Sequence, residues 1–162
     1  MELEERVAEL ERRLAALEGG GRDVPRLGDG DFWALDGLKA QLVGTEAGGV
    51  LFTGAVRLPT QEQYEWQYGT LTGDLLDADW TQAAESFAAL GHPVRLRLLR
   101  EILGGRRTAA ELAELEDLGT TGQIYHHLRQ LAAVGWLHTA GRGRYEVPAG
   151  RVVPLLVVLS AA

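Results

Sequence analysis

The sequence predicts a mainly α fold with a small β component. Three observations carry that class. Apolar residues recur at helical spacing over residues 1–18, 31–42 and most of 79–134. Helix-opening residues stand where such runs begin: Asp31, Pro93, Thr108 and Thr120. Strand-like alternation is confined to two hairpins, one near residues 50–68 and one around Gly141-Arg-Gly143.

Residues 1–18 read as a coiled-coil dimerisation helix. Leu3, Val7, Leu10, Leu14 and Leu17 recur at spacings of 4, 3, 4 and 3, the a/d seam of a heptad repeat. With Val7 and Leu14 at a, Arg6 and Arg13 fall at g, and Glu4, Glu11 and Glu18 at e. A parallel pair sets Arg6 against Glu11 and Arg13 against Glu18, whereas an antiparallel pair sets like charges together. The register therefore predicts a parallel homodimer; the alternative is one amphipathic helix packed on its own domain. About two and a half heptads are marginal alone, so a second dimer contact is needed.

Residues 19–30, rich in glycine, are a flexible linker. Residues 31–78 form an extension of one helix and one β-hairpin. Asp31 caps the helix, whose face carries Phe32, Leu35, Leu38 and Leu42. In the hairpin, Val50, Phe52, Val56 and Leu58 alternate with Leu51, Thr53, Ala55 and Arg57, and Tyr64, Trp66 and Tyr68 share one side. Such a hairpin needs a partner surface. Its aromatics Phe52, Tyr64, Trp66 and Tyr68 are the candidates for a small-molecule effector pocket, although aromatic faces more often bury in cores.

Residues 79–162 are predicted to be helical up to residue 134. Trp80 opens a helix that Gly91-His-Pro93 breaks, and Pro93 suits the first position of the next. That next helix is strongly apolar, with Arg95, Arg97 and Arg100 on its exposed side. Thr108-Ala-Ala-Glu111 is a capping box, Glu116-Asp-Leu-Gly119 a turn, and Thr120 or Thr121 the cap of a helix reaching about Val134. Two short strands then flank Gly141-Arg-Gly143. Val152 to Leu159 forms a last apolar helix with Pro154 in its first turn. Val152, Leu155, Leu156 and Leu159 on that helix are the candidates for the second dimer contact. This order of elements is a winged helix-turn-helix.

Composition narrows the function classes. The 162 residues suit one ordinary domain or a small one with extensions. There is no cysteine, which excludes disulfides, thiolate metal sites and cysteine nucleophiles. The acidic start, Met1-Glu-Leu-Glu-Glu-Arg, is unlike a signal peptide, and the eight-residue run Val152–Leu159 is too short to span a bilayer, so a cytoplasmic location is expected. The net charge of −7 is unevenly spread. Residues 1–81 carry seven Lys/Arg against sixteen Asp/Glu, a net of −9; residues 82–162 carry nine Arg against seven Asp/Glu, a net of +2. All basic residues except Lys39 are arginine, which suits bidentate contact with phosphate or guanine.

The helix from Thr120 carries the functional pattern. Ile124, Leu128, Leu131 and Val134 form its buried stripe. Thr121, Gly122, Tyr125, His126 and Arg129 lie opposite, flanked by Gln123 and Gln130. A major groove requires such a face of donors and acceptors. Gln123 suits adenine, Arg129 suits phosphate or guanine, and Gly122 lets the backbone approach closely. Thr120 and the free N–H groups at the helix start suit a phosphate. Arg142 and Arg144, spaced by a glycine at a hairpin tip, suit a narrow groove or a phosphate track.

His92-Pro-Val-Arg-Leu-Arg-Leu-Leu99, Gly119-Thr-Thr-Gly-Gln-Ile-Tyr-His-His-Leu-Arg-Gln-Leu131 and Gly135-Trp-Leu together resemble the ArsR-type winged-helix repressors of bacteria. The resemblance covers about residues 82–162. It implies homodimers that bind inverted-repeat operators near promoters. It also implies DNA contacts at Thr120, Thr121, Gln123, Tyr125 and His126, with His127 on the core side. It says nothing of the coiled coil or the first hairpin.

Many members of that family sense metals. Here thiolate sites are impossible, and residues 149–162 hold neither His nor carboxylate for a site on the last helix. His126 and His127 are adjacent, so a helix points them about 100° apart. The expectation is no metal and no cofactor. No nucleophile motif or phosphate-binding glycine loop points to an enzyme. Asp74, Asp77 and Asp79 precede a helix, where carboxylates cap and complement the dipole. The competing function is a protein-interaction module that docks a partner through the winged helix and coiled coil.

Overall fold

A computed structural model describes residues 6–10 and 31–162. The chain divides into two compact units, residues 1–41 and 42–162.

In the first unit, residues 6–10 are helical, with Val7 and Leu10 exposed. The rest of the predicted heptad seam, Leu3, Leu14 and Leu17, lies outside the described residues. Helix α1 (Trp33–Gln41) starts two residues after Asp31, and none of its nine residues is buried. Phe32, Trp33 and Leu35 are exposed.

The second unit opens with an antiparallel ribbon of β1 (Gly49–Arg57) and β2 (Gln63–Leu71). The register pairs Phe52 with Tyr68, Gly54 with Trp66 and Val56 with Tyr64, which puts all six on one face. Helices α2 (Thr72–Asp77), α3 (Thr81–Leu90), α4 (Pro93–Leu103), α5 (Ala109–Ala113) and α6 (Thr121–Ala133) follow. A short ribbon of β3 (His138–Ala140) and β4 (Arg144–Glu146) leads into α7 (Ala149–Ala161).

One core holds this unit together. Leu98, Leu99 and Ile102 of α4, Ile124, Leu128 and Leu131 of α6, and Val152 and Leu155 of α7 are all at most 1% exposed. Leu58, just past β1, joins them, and Val56 and Tyr64 pack against the cluster. The first hairpin thus finds its partner surface on the helical region, and the compact unit begins at Leu42 rather than at residue 79.

The helix starts follow local chemistry. Asp79 accepts from the Thr81 backbone N–H and hydroxyl at 3.0 and 2.7 Å, which holds its carboxyl below the usual carboxylate range. His92 caps α4: its Nδ1 accepts from the Val94 N–H at 3.2 Å, and Pro93 occupies the first turn. Thr108 and Glu111 close the predicted capping box.

Several expectations are corrected. Arg95 is not on an exposed face; its guanidinium reaches inward to His127 and to the carbonyl of Ala89 at 3.2 Å. Arg97 is half-buried and donates to the Glu116 carbonyl at 2.9 Å. Helix α7 starts three residues before Val152, so Pro154 lies inside it and leaves the Gly150 carbonyl without its i+4 donor. Val152 and Leu155 are wholly buried in the chain's own core, so they have no surface to give to a dimer; Leu156 and the 43%-exposed Leu159 remain half-buried and exposed, respectively. The four hairpin aromatics do not enclose a pocket. Tyr64 packs on the core, Phe52 and Tyr68 rings stand 5.8 Å apart, and Trp66 and Tyr68 are open to solvent. Helix α2 carries no start signal in the sequence: it begins after Leu71, which offers no side-chain cap.

Candidate nucleic-acid interface

Helix α6 is positioned by its start and by its inner face. At its start, the Thr120 hydroxyl accepts from the Gln123 N–H at 3.3 Å, and the Gln123 Oε1 accepts from the Thr120 N–H at 2.8 Å. Gly119 makes this box possible. Its φ is +89°, and a Cβ there would collide with Gln123 Oε1. The N–H groups of Thr121 and Gly122 have no intrahelical acceptor and open onto the exposed end.

Ile124, Leu128 and Leu131 anchor the inner stripe of α6. Thr121, Gly122, Gln123, Tyr125, His126 and Arg129 are all exposed on the other side, as is Thr120 at the cap. The polar face expected from the spacing is therefore presented intact to solvent. Gln123 differs in one respect: its Oε1 is engaged in the box, so only its Nε2 is free to read a base. Bidentate pairing with adenine requires the box to open.

His127 forms the seat of the helix. Its Nδ1 accepts from Arg95 Nε at 3.3 Å, and its ring lies 4.6 Å from that of His92. Accepting through Nδ1 requires a neutral imidazole. Burial, reinforced by the charges of His92, Arg95 and His126, holds His127 below the ordinary imidazole value. His126 and His127 point apart as expected, with ring centroids 5.8 Å apart. Among the described residues, no group of three or more His, Cys, Asp or Glu side chains is placed to share a metal ion.

The second ribbon follows α6 directly. Gly141, Arg142 and Gly143 at its tip have φ of +37°, +52° and +71°. Arg142 shares its left-handed backbone with two other non-glycine residues, Gln61 and Asp117. Arg142 and Arg144 are both exposed. At the base of the ribbon, Trp136 is buried; its indole N–H donates to the Ser86 carbonyl at 3.2 Å, and Arg151 lies 4.9 Å over the ring.

Two residues near this surface escaped sequence reasoning. Arg107 and Glu62 are 45 residues apart and form a bidentate ion pair beneath the ribbon. The pairing holds the Glu62 carboxyl below its usual range and raises the guanidinium, so both are charged. No local pattern marks such a contact.

Residues 90–139 match the family model for a helix-turn-helix domain. The match spans α4, α5 and α6 and ends inside β3, just under a third of the chain. No curated protein matches the chain. Among the described residues, no helix is long and apolar enough to cross a membrane. The mainly helical fold with its small ribbon is consistent with a winged helix-turn-helix, and the domain match supports DNA as the partner of the exposed α6 face.

Proposed function

We propose that this chain is a sequence-specific transcription regulator of the ArsR type. It acts as a cytoplasmic homodimer on an inverted-repeat operator, with repression as the mode the resemblance implies. One observation carries this reading: a capped helix with a fully exposed polar face is followed at once by a ribbon that exposes Arg142 and Arg144 at its tip.

In this reading α6 enters the major groove. Tyr125, His126, Arg129 and the free Nε2 of Gln123 face base edges, while Thr120, Thr121 and the amides of Gly122 and Thr121 meet a phosphate. Arg142 and Arg144 of the wing follow the backbone or the minor groove. The mildly basic half gains affinity from two copies in register. Leu156 and Leu159, beside an open Leu-lined groove of about 510 Å³ between α4 and α7, are the dimer contacts left on the last helix. A small-molecule effector would meet Phe52, Trp66 and Tyr68 on an open face rather than in a cavity.

Operator fragments are first selected from genomic DNA with the purified protein. Gln123→Ala and His126→Ala are then expected to lose discrimination between operator and random DNA. Arg142→Ala weakens binding to both and makes it less salt-dependent. Equal losses on operator and random DNA in all three variants would reject sequence-specific reading by α6. The exposed Trp66, Tyr68 and Trp80 favour a second reading as a protein-docking module. It requires that no DNA retardation occur at ~100 mM salt.

A further inference from the structure

The hairpin β1–β2 is joined to the wing by one side chain. Its turn is built tightly: the Leu58 N–H donates to the Glu62 carbonyl at 2.9 Å, and the Thr60 hydroxyl donates to Glu62 Oε2 at 2.8 Å. Buried Leu58 pins the turn to the core. Glu62 is thereby aimed at Arg107, which donates from Nη1 to Oε1 at 3.1 Å and from Nη2 to Oε2. The same Nη1 donates to Glu146 Oε1, on wing strand β4, at 3.3 Å.

The Arg107 backbone repeats the connection. Its carbonyl accepts from the Tyr145 N–H of β4 at 2.7 Å, and its N–H donates to Glu111 of α5 at 2.9 Å. Thr108, the next residue, bridges to Arg144. The Arg107 side chain is only 12% exposed. Its partners are more open, Glu62 at 38% and Glu146 at 33% exposure, so the pair differs from a loose surface contact by its bidentate geometry and by sharing one guanidinium between two carboxylates rather than by burial.

We propose that Arg107 is the positioning residue of the wing, and that the β1–β2 hairpin, through Glu62, sets where Arg142 and Arg144 stand relative to α6. The hairpin and most of the wing both lie outside the matched span of residues 90–139, and Arg107, inside it, ties the two together. An event at the hairpin is transmitted to DNA through this ion pair. The inference rests on the DNA-binding reading above.

The test turns on a sign. Glu62→Ala removes a negative charge from the neighbourhood of Arg144, so electrostatics alone makes the protein bind DNA more tightly and with steeper salt dependence. A positioning role predicts the reverse. If each wing of a dimer loses one phosphate contact, the slope of log K against log salt falls by about 2, and at ~0.15 M salt affinity falls roughly 30-fold. Arg107→Lys keeps the charge but cannot grip both carboxylates, and it is expected to weaken operator binding in the same direction.

Hydrogen exchange on the same variants reads the wing without DNA. The Tyr145 amide, which bonds to the Arg107 carbonyl, should exchange faster while amides of α4 and α6 do not. Tighter binding by Glu62→Ala, or unchanged wing exchange in both variants, overturns the proposal. If the wild-type protein binds no DNA, the functional reading fails by itself and the exchange result still decides whether the hairpin holds the wing.

Discussion

Replacing Gly54 by alanine should destabilise the protein, although the same change in an unconstrained strand would stabilise it. Gly54 lies on the ribbon face that packs against α7. A Cβ there would stand 2.5 Å from Cγ1, 3.2 Å from Cγ2 and 3.4 Å from Cβ of Val153. Carbon atoms pack best at about 3.5–4.0 Å, so the first contact is short by about 1 Å. Val153 is 1% exposed and β-branched on a helix, which leaves it one favoured rotamer and no room to swing. Relief must come from an off-rotamer valine or from lifting the ribbon, and overpacking of this kind costs about 1–3 kcal/mol. Relief of glycine's backbone entropy returns about 0.5–1 kcal/mol. The net is a loss of up to about 2.5 kcal/mol, which for a chain this size lowers Tm by up to about 10 °C. Thermal and urea unfolding followed by tryptophan fluorescence measures it. Val153→Ala is destabilising alone, but it makes space for the methyl group that Gly54→Ala adds. The double variant should therefore be more stable than the summed single effects by at least ~1 kcal/mol. A higher Tm for Gly54→Ala, or strict additivity of the two changes, would refute the packing argument.

Two further outcomes are expected. Thr120→Ala breaks the capping box of α6 and should cost about 1 kcal/mol by urea unfolding; an unchanged midpoint would mean the box does not hold the helix start. His127 is kept neutral in the folded state, so between its depressed value and about 6.5 the unfolded chain binds the extra proton. Its contribution is complete above pH ~6.5 and is lost as pH falls through that value toward the folded one. The depressed carboxylates Glu62, Asp79 and Glu111 act only in more acidic solution, below about pH 4.5. Stability measured from pH ~7.5 to ~5.5 should therefore fall less steeply in His127→Gln than in the wild type. Parallel curves would reject the neutral seat.

Much of the helix-turn-helix region was legible because its signals are local. Thr108 with Glu111 reads as a capping box and closes as one; Thr120 caps α6 as expected, and Gln123, expected to face a base, closes a second box with it. Pro93 marks a helix start by its own ring geometry, and Gly141 and Gly143 mark a turn through their positive φ. The polar face of α6 follows from the 3.6-residue period, since Ile124, Leu128 and Leu131 can face only one way. Failures came where the decisive partner is distant in sequence. Arg95 sits at a position that periodicity leaves exposed, but its acceptor lies 32 residues away on α6. Apolarity marked Val152 and Leu155 for burial without saying against what, and the chain's own core claimed them before any second copy could. The aromatics of β2 alternate cleanly, but alternation does not say how far along the ribbon α7 reaches; Tyr64 is covered while Trp66 and Tyr68 are not.

By itself the sequence determined the order of the helices and ribbons apart from α2, most of their caps and turns, and the face that α6 turns outward. Those choices rest on backbone dihedrals and on hydrogen bonds spanning only a few residues, which a short stretch of chain satisfies alone. Only the tertiary structure decided that the first hairpin lies against α7, that Gly54 must stay small, and that Arg107 ties Glu62 to Glu146. These contacts join residues whose separation along the chain carries no periodic signal. They exist because burying the ribbon and the last helix on one core brings their charges and methyl groups together.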